Sequence, residues 1–359
     1  MAYDKSDADI QTRLWNVAGA ARGRIKDFMG DGSLNLFAYV AYRALDRGLN
    51  SEGLTSGNLL DAIDSTPVSA EHRATLRSLV SNDTVDVFRD LMRGFSDKEL
   101  RDIVLRWEIE PLTRYSFDRP KDPDLPPSLQ RLVVDLLHIE NDDYVADLHC
   151  GDGAFLMDVL EANPSARVYG NSADTLRACL AEVRMSLVGA EHLIERRDDL
   201  LGGHLGTFDR VFDAPPIGMR VAFLAKGATP YLKPLLDGTD PMGRPSSADW
   251  LYCRLAYDSL TDEGTAVVIV TNGATFNGGD IQTRRYFVEN GMVRAAIALP
   301  RGAFGIHHHP SHRPRAGEER RPHPLRRRHR PRHARPQNEC TFRRRDFENR
   351  GQTLAGRRQ

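Results

Sequence analysis

Between residues 144 and 300, short apolar runs alternate with longer stretches of helical period. The runs Tyr144–Leu148, Arg167–Gly170, His192–Glu195, Arg210–Phe212, Thr265–Val270 and Val293–Leu299 read as strands. The stretches Ala154–Ala162, Ala173–Leu187, Ala248–Leu260 and Gly279–Glu289 read as helices. Strands and helices in alternation, joined by short connections, imply right-handed crossovers and a doubly wound parallel sheet. The expected fold class is therefore α/β.

Residues 8–110 read differently, as helix throughout. Ile10, Leu14, Val17 and Ala21 mark one apolar face, and Leu36, Tyr39, Val40 and Leu45 mark another. Ser33 and Ser96 are the expected N-caps, the second forming a capping box with Glu99. Trp15 and Trp107 are expected as core anchors. No residue here is catalytic by type or spacing, so 1–110 is expected to be a helical packing or docking domain. Pro111, Pro120, Pro123, Pro126 and Pro127 then interrupt a polar stretch that helix cannot cross, which makes 111–127 the expected linker. Helical pattern resumes at Ser128–Leu137 and leads into the first strand, so the second domain is expected over 128–305.

Composition adds three limits. The 359 residues, 40% hydrophobic and 28% charged, suffice for two domains of a soluble globular protein. No apolar run approaches the roughly 18 residues of a membrane span, and Met1–Gly30 has no signal-peptide core, so a cytoplasmic protein without membrane contact is expected. Cys150, Cys179, Cys253 and Cys340 show no paired spacing, which suggests free thiols in a reducing compartment.

The net charge of −1 conceals an asymmetry, because residues 306–359 hold 16 Arg, seven His, no Lys and five acids. The rest of the chain is correspondingly acidic and has little grip on a phosphate backbone by itself. The tail lacks apolar periodicity. His307, His308, His309 and His312 have neither helical support nor a Cys or carboxylate companion, so no metal site is expected. The composition matches a GC-rich gene read out of frame. The tail is thus expected to be disordered or a frameshift product, which resequencing of the gene tests.

Candidate chemistry lies at two loops that end strands. Tyr144–Leu148 stops at His149-Cys150-Gly151-Asp152-Gly153, where an acid and a G-x-G turn would let a ligand approach the backbone closely. A dinucleotide site would want a third glycine where Leu156 stands, which argues against a nicotinamide enzyme. Arg210–Phe212 runs into Asp213-Ala214-Pro215-Pro216-Ile217-Gly218, a rigid loop at the same sheet edge.

Taken together, Asp147-x-x-Cys150-Gly151-x-Gly153-Ala154-Phe155, Arg197-Asp198-Asp199-Leu200 and Ala214-Pro215-Pro216-Ile217-Gly218 resemble the S-adenosylmethionine-dependent adenine-N6 DNA methyltransferases. The match is best with the modification subunit of type I restriction–modification systems. It runs from Leu14-Trp15 through Pro127-Ser128, Ala248-Asp249-Trp250 and Gly264–Val270 to Ala298–Phe304. The resemblance implies a Rossmann-like class I methyltransferase sheet and S-adenosylmethionine as cofactor. It gives Asp147, Cys150, Gly151 and Gly153 to the methionine end and Asp198 to the adenine ring. The family's ribose-binding acid falls at Ser172, with Asp174 displaced. It also implies double-stranded DNA as substrate, reached through a specificity subunit, and a restriction subunit as a further partner.

Three departures accompany the resemblance. The family's catalytic loop is Asp/Asn/Ser-Pro-Pro-aromatic, whereas Ala214 and Ile217 flank Pro215 and Pro216 here, and Asp213 stands one residue early. The ribose position is Ser172. The family sheet ends in an antiparallel strand inserted between the fifth and sixth, and this strand would begin in the tail, so it is expected to be missing. The reading is an adenine-N6 methyltransferase subunit. The alternatives are a catalytically impaired member that keeps fold and cofactor pocket, and a protein-glutamine methyltransferase, against which the helical N-terminal region and Ala248-Asp249-Trp250 speak.

Overall fold

In a computed structural model of the chain, residues 5–21, 33–106, 125–197, 206–216, 221, 229–300 and 337–343 are described. Trp107, most of the proline-rich stretch, Asp198, Ile217, the Arg301–Phe304 segment and the rest of the tail lie outside them.

The N-terminal part folds as six helices: α1 (Lys5–Ala21), α2 (Ser33–Asp46), α3 (Ser56–Asp64), α4 (Ala70–Ser78), α5 (Val85–Gly94) and α6 (Asp97–Arg106). The predicted capping box starts α6. The Ser96 N–H donates to Glu99 at 2.8 Å, and the Glu99 N–H donates back to Ser96 Oγ at 3.3 Å. Ser33 departs from expectation, because it lies buried within α2 and not ahead of it as a cap. Trp15 departs too, being 47% exposed. The buried stripe of α1 is Ile10, Leu14, Ala18 and Ala21. Trp15 stands one residue off that stripe, and one residue is about 100° of turn around a helix.

The second part begins with α7 (Pro127–Leu137), whose Pro127 occupies a first-turn position where a missing N–H costs nothing. Five parallel strands follow in register: β1 (Tyr144–Asp147), β2 (Arg167–Asn171), β3 (His192–Glu195), β4 (Phe208–Asp213) and β5 (Leu260–Val270). Helices α8 (Ala154–Ala162), α9 (Thr175–Val188), α10 (Leu232–Asp237), α11 (Asp249–Asp258), α12 (Gly273–Phe276) and α13 (Ile281–Glu289) lie between strands, and β6 (Val293–Leu299) follows. Alternate strand residues serve opposite cores. Val145, Val168, Phe212 and Val267 pack with α7, α8 and part of α9, whereas Ala146, Tyr169, Val211 and Val268 pack with α10, α11 and Phe287.

The sheet order is β3-β2-β1-β4-β5-β7-β6, and β7 (Gln337–Arg343) runs antiparallel to both of its neighbours. This overturns the expected loss of the last strand and, with it, the expected pair of unpaired edges. Val270 pairs with Asn338 on one side of β7, and Leu299 pairs with Gln337 on the other. The physical reason is that ladder pairing uses backbone N–H and C=O groups, so a stretch without apolar alternation can still fill a slot between two strands.

One helix joins the two parts. Cys179, Leu180 and Val183 of α9 belong to the core of the helical part, and its opposite face belongs to the sheet. Buried Glu182 of α9 accepts bonds from the Ser69 N–H at 2.7 Å and Ser69 Oγ at 2.8 Å, and pairs with His72. Burial pushes the Glu182 carboxyl up, but these bonds outweigh it and hold it below its usual range. Arg184 donates to the Val104 carbonyl at 2.8 Å.

Candidate functional site

Strand order reverses at β1, with β2 and β3 to one side and β4 and β5 to the other. In open α/β sheets the crevice beyond the carboxyl ends at such a point is where ligands bind. Both predicted loops meet there. The Leu148 N–H donates to Phe212 O at 3.0 Å and the Cys150 N–H to Asn171 O at 2.8 Å, so the turn after β1 is tied to β4 and β2 at once.

Gly151 (φ 53°) and Gly153 (φ 83°) both hold left-handed backbone that disfavours a Cβ. The space a Cβ would take is filled from α9. At Gly151 it would lie 2.5 Å from a guanidinium nitrogen of Arg177, and at Gly153 3.1 Å from the Cβ of Ala181. These glycines let the turn and α9 approach each other closely. The missing third glycine has a substitute as well. Gly170 on β2 leaves room for Leu156, which a Cβ there would approach to 3.0 Å.

Asp147 ends β1 almost wholly buried, with Oδ1 accepting the His149 N–H at 3.1 Å. Burial, chiefly, lifts its carboxyl to about 7, and the nearby Asp213 adds to the rise. A carboxyl so placed is far better satisfied by a cation than by water it cannot reach. Burial pushes the Cys150 thiol up too, so it stays protonated and packs as a small apolar group. Asp152 is opposite in behaviour. Burial is outweighed by Arg184, 3.0 Å away, and by Arg177, and the carboxyl is held low.

At the end of β2, Asn171 donates to Leu148 O at 3.2 Å and accepts the Arg197 N–H at 3.0 Å. Ser172 is buried beside it, its N–H on Glu195 O at 3.1 Å. Asp174 is spent as the N-cap of α9, accepting the N–H groups of Leu176 and Arg177 at 2.9 and 3.0 Å.

At the end of β4, Asp213 is completely buried and its Oδ1 lies 2.5 Å from His149 Nδ1. Its Oδ2 has no hydrogen-bond partner among the described residues. Burial raises this carboxyl, and His149 opposes the rise. Tyr252 of α11 stands edge-on to the His149 ring, with centroids 5.3 Å apart. Ala214 and Pro215 are buried and Pro216 is half-buried. A third buried carboxyl, Asp249 of α11, accepts Thr271 Oγ1 at 2.6 Å where β5 ends.

Asp147, Cys150, Gly151, Gly153, Ser172, Asp213, Ala214 and Pro215 all lie at this edge. It adds His149, Arg177 and Tyr252, to which the sequence assigned no role. His149 stood inside the glycine motif, but only the pairing of β1 with β4 brings Asp213 to it. Arg177 carried a fainter signal, as the third residue after a capping Asp174 just beyond β2. No grouping of His, Cys, Asp and Glu able to hold a metal occurs among the described residues, and none of their helices is long and apolar enough to cross a membrane.

A family model for N-6 DNA methylases matches residues 125–310. The type I restriction enzyme MjaVII methylase subunit of Methanocaldococcus jannaschii is 25% identical over 255 residues, which cover 64% of this chain and 43% of that protein. The chain thus spans less than half the length of this curated relative. Among solved structures, the type I restriction–modification methyltransferase subunit from Streptococcus thermophilus superposes with a TM-score of 0.63 at 14% identity, over 94% of this chain and 84% of that one. A chain described as a modification subunit of a type I restriction enzyme, from Vibrio vulnificus YJ016, gives 0.60 at 15% identity, over 93% and 82%. At these identities the structures establish the shared fold.

Proposed function

Since the chain belongs to the N-6 DNA methylase family, we propose that it is the methyl-transferring subunit of a restriction–modification system, taking S-adenosylmethionine as cofactor and adenine N6 in double-stranded DNA as acceptor. The observation that carries the proposal is Asp147. A buried carboxyl at the end of β1, beside a left-handed glycine turn at the switch point, suits a ligand bearing an ammonium and a sulfonium. Bound there, the cofactor supplies an electrophilic methyl group on sulfur.

The chain's own residues do the rest. Asp147 would hold the ammonium end, the Cys150–Gly153 turn would border the methionine, and the Ser172 hydroxyl would meet the ribose without the charge assistance a carboxylate would give. By the family resemblance Asp198 would take the adenine ring. The rigid Pro215-Pro216 loop positions the target amine, with a backbone carbonyl accepting one of its hydrogens. The amine would lose a proton as its new N–C bond forms and the sulfur–methyl bond breaks, and His149, paired with Asp213 at the end of β4, is our candidate to receive it. Phosphate contacts fall to a specificity subunit, because the body of the chain outside the tail is acidic. A restriction subunit completes such a system.

A second reading rests on Ala214. Its buried methyl stands where the family loop carries a polar acceptor, and loss of one such contact costs on the order of 10²–10³ in rate. On that reading the chain binds cofactor and scarcely turns over. Calorimetric titration with S-adenosylmethionine, followed by transfer of labelled methyl to DNA with and without a cognate specificity subunit, separates the two. Binding with transfer supports the first, and binding without it the second. Transfer that survives Pro215→Ala means that the loop is not the site.

A further inference from the structure

Arg184 of α9 is buried and reaches into both parts of the molecule. Its Nε donates to the Val104 carbonyl of α6 at 2.8 Å. Its Nη1 donates to the Asp152 carbonyl at 3.0 Å and lies 3.0 Å from an Asp152 carboxylate oxygen. Val104 carries one of the last four carbonyls of α6, which lack a partner within the helix, and a cation suits that end of the helix dipole. Asp152 stands between Gly151 and Gly153, the two left-handed residues whose backbone has the most freedom to lose when the turn becomes ordered.

One buried guanidinium therefore caps a helix of the N-terminal part and steadies the turn after β1. Pulling α6 away would leave it short of an acceptor, and pulling the turn away would leave it short of its counter-charge, so each contact supports the other. Neighbouring ties differ in this respect. Glu182 fastens α9 to Ser69 and His72, and Arg101 of α6 donates to the Leu187 carbonyl at 3.1 Å. These bonds join α9 to the helical part and do not reach the turn.

We infer that Arg184 is a positioning residue that couples the cofactor site to the helical part, an assignment that rests on the S-adenosylmethionine reading above. The turn is ordered for its ligand while α6 is docked, and a bound ligand in return holds α6 in place. Linkage is reciprocal, so whatever grips or loosens the helical part changes cofactor affinity by the same factor through which the cofactor steadies α6. A protein subunit docked on the helices thus has a route to the methyl donor without touching the sheet edge.

Amide hydrogen exchange on the full chain, with and without saturating S-adenosylmethionine, tests the coupling. In wild type the amides of Leu100–Arg106 are expected to slow with ligand by about 5- to 100-fold relative to those of α5. Lysine keeps the charge but replaces the fork with one compact ammonium, so Arg184→Lys can neutralise Asp152 and cannot also span to Val104. This variant is expected to bind the ligand about 5- to 100-fold more weakly and to lose the slowing in α6. Arg101→Ala cuts only a bond between helices and is expected to keep both. Wild type that binds ligand with α6 unchanged overturns the coupling and leaves the cofactor reading standing, and this result decides the matter even where the lysine variant does not fold. Slowing that persists in Arg184→Lys, or is lost equally in Arg101→Ala, overturns the role of Arg184. A wild-type chain that binds no S-adenosylmethionine overturns the cofactor reading and the coupling with it.

Discussion

Replacing Asp147 with asparagine keeps the shape of the side chain and removes a carboxyl group that the fold buries. In the unfolded chain this group titrates at its ordinary value of 3.8, and in the folded protein at about 7. The folded state therefore holds the proton more tightly. Between these two values unfolding releases a proton, so stability is greatest at low pH and falls as pH rises towards 7. Each unit of difference corresponds to about 1.4 kcal/mol, so the loss between pH 5 and pH 8 comes to roughly 2–3 kcal/mol. The asparagine variant has no such slope from this site. Its stability minus that of wild type should grow by roughly 2–3 kcal/mol over that range, in the variant's favour. Urea unfolding of both proteins at unit steps of pH and constant ionic strength measures the difference. The raised carboxyl of Asp213 owes its shift to burial, against His149, so it largely cancels in the subtraction. A gap that stays constant with pH, or widens towards low pH, would refute the reasoning. The same variant should lose affinity for S-adenosylmethionine. In wild type that affinity should fall about tenfold per unit below pH 7, as the carboxyl takes up its proton.

Other perturbations follow from the same geometry. Gly153→Ala places a Cβ 3.2 Å from the Ala181 backbone in a left-handed conformation, and thermal unfolding should show a loss of roughly 1–3 kcal/mol. Glu182→Ala leaves the Ser69 N–H and hydroxyl and His72 without their acceptor. It should cost roughly 2–4 kcal/mol, with amide exchange rising first in α4. If the Pro215-Pro216 loop is catalytic as proposed, a polar side chain introduced by Ala214→Asn should raise methyl transfer by about 100-fold, measured as labelled methyl on DNA. No gain would mean that the loop's register differs from the family's. His149→Ala strands the buried Asp213 carboxyl and should destabilise the fold by roughly 3–5 kcal/mol at pH 8, as read by urea midpoint.

Much of the fold was legible because its signals are local. The end of β1 at Asp147 and the start of α8 at Ala154 follow from an apolar run stopped by two glycines. The capping box at Ser96 and Glu99 is likewise a short-range pattern with one physical meaning. Long-range facts were not legible. Nothing adjacent to His149 announces Asp213, and the two meet only because β1 and β4 are neighbours in the sheet. Arg177 and the glycine turn are joined by the packing of α9, which the pattern of either segment leaves open. Seventh-strand pairing was missed for another reason. Residues 337–343 lie in an Arg-rich tail without the apolar alternation that marks a strand, and their place is set by backbone groups that every sequence has. Trp15 is exposed because helical phase, not aromatic size, decides which residues of α1 face the core.

The proposed transfer of a methyl group to adenine N6 at this sheet edge is tested most directly by digesting double-stranded DNA to nucleosides, after incubation with the full chain, a cognate specificity subunit and S-adenosylmethionine. Mass spectrometry then follows. N6-methyldeoxyadenosine that depends on the cofactor and is lost in Asp147→Asn is the expected result. Methylation appearing on cytosine, or N6-methyladenine that persists in the Asp147 variant, would contradict it.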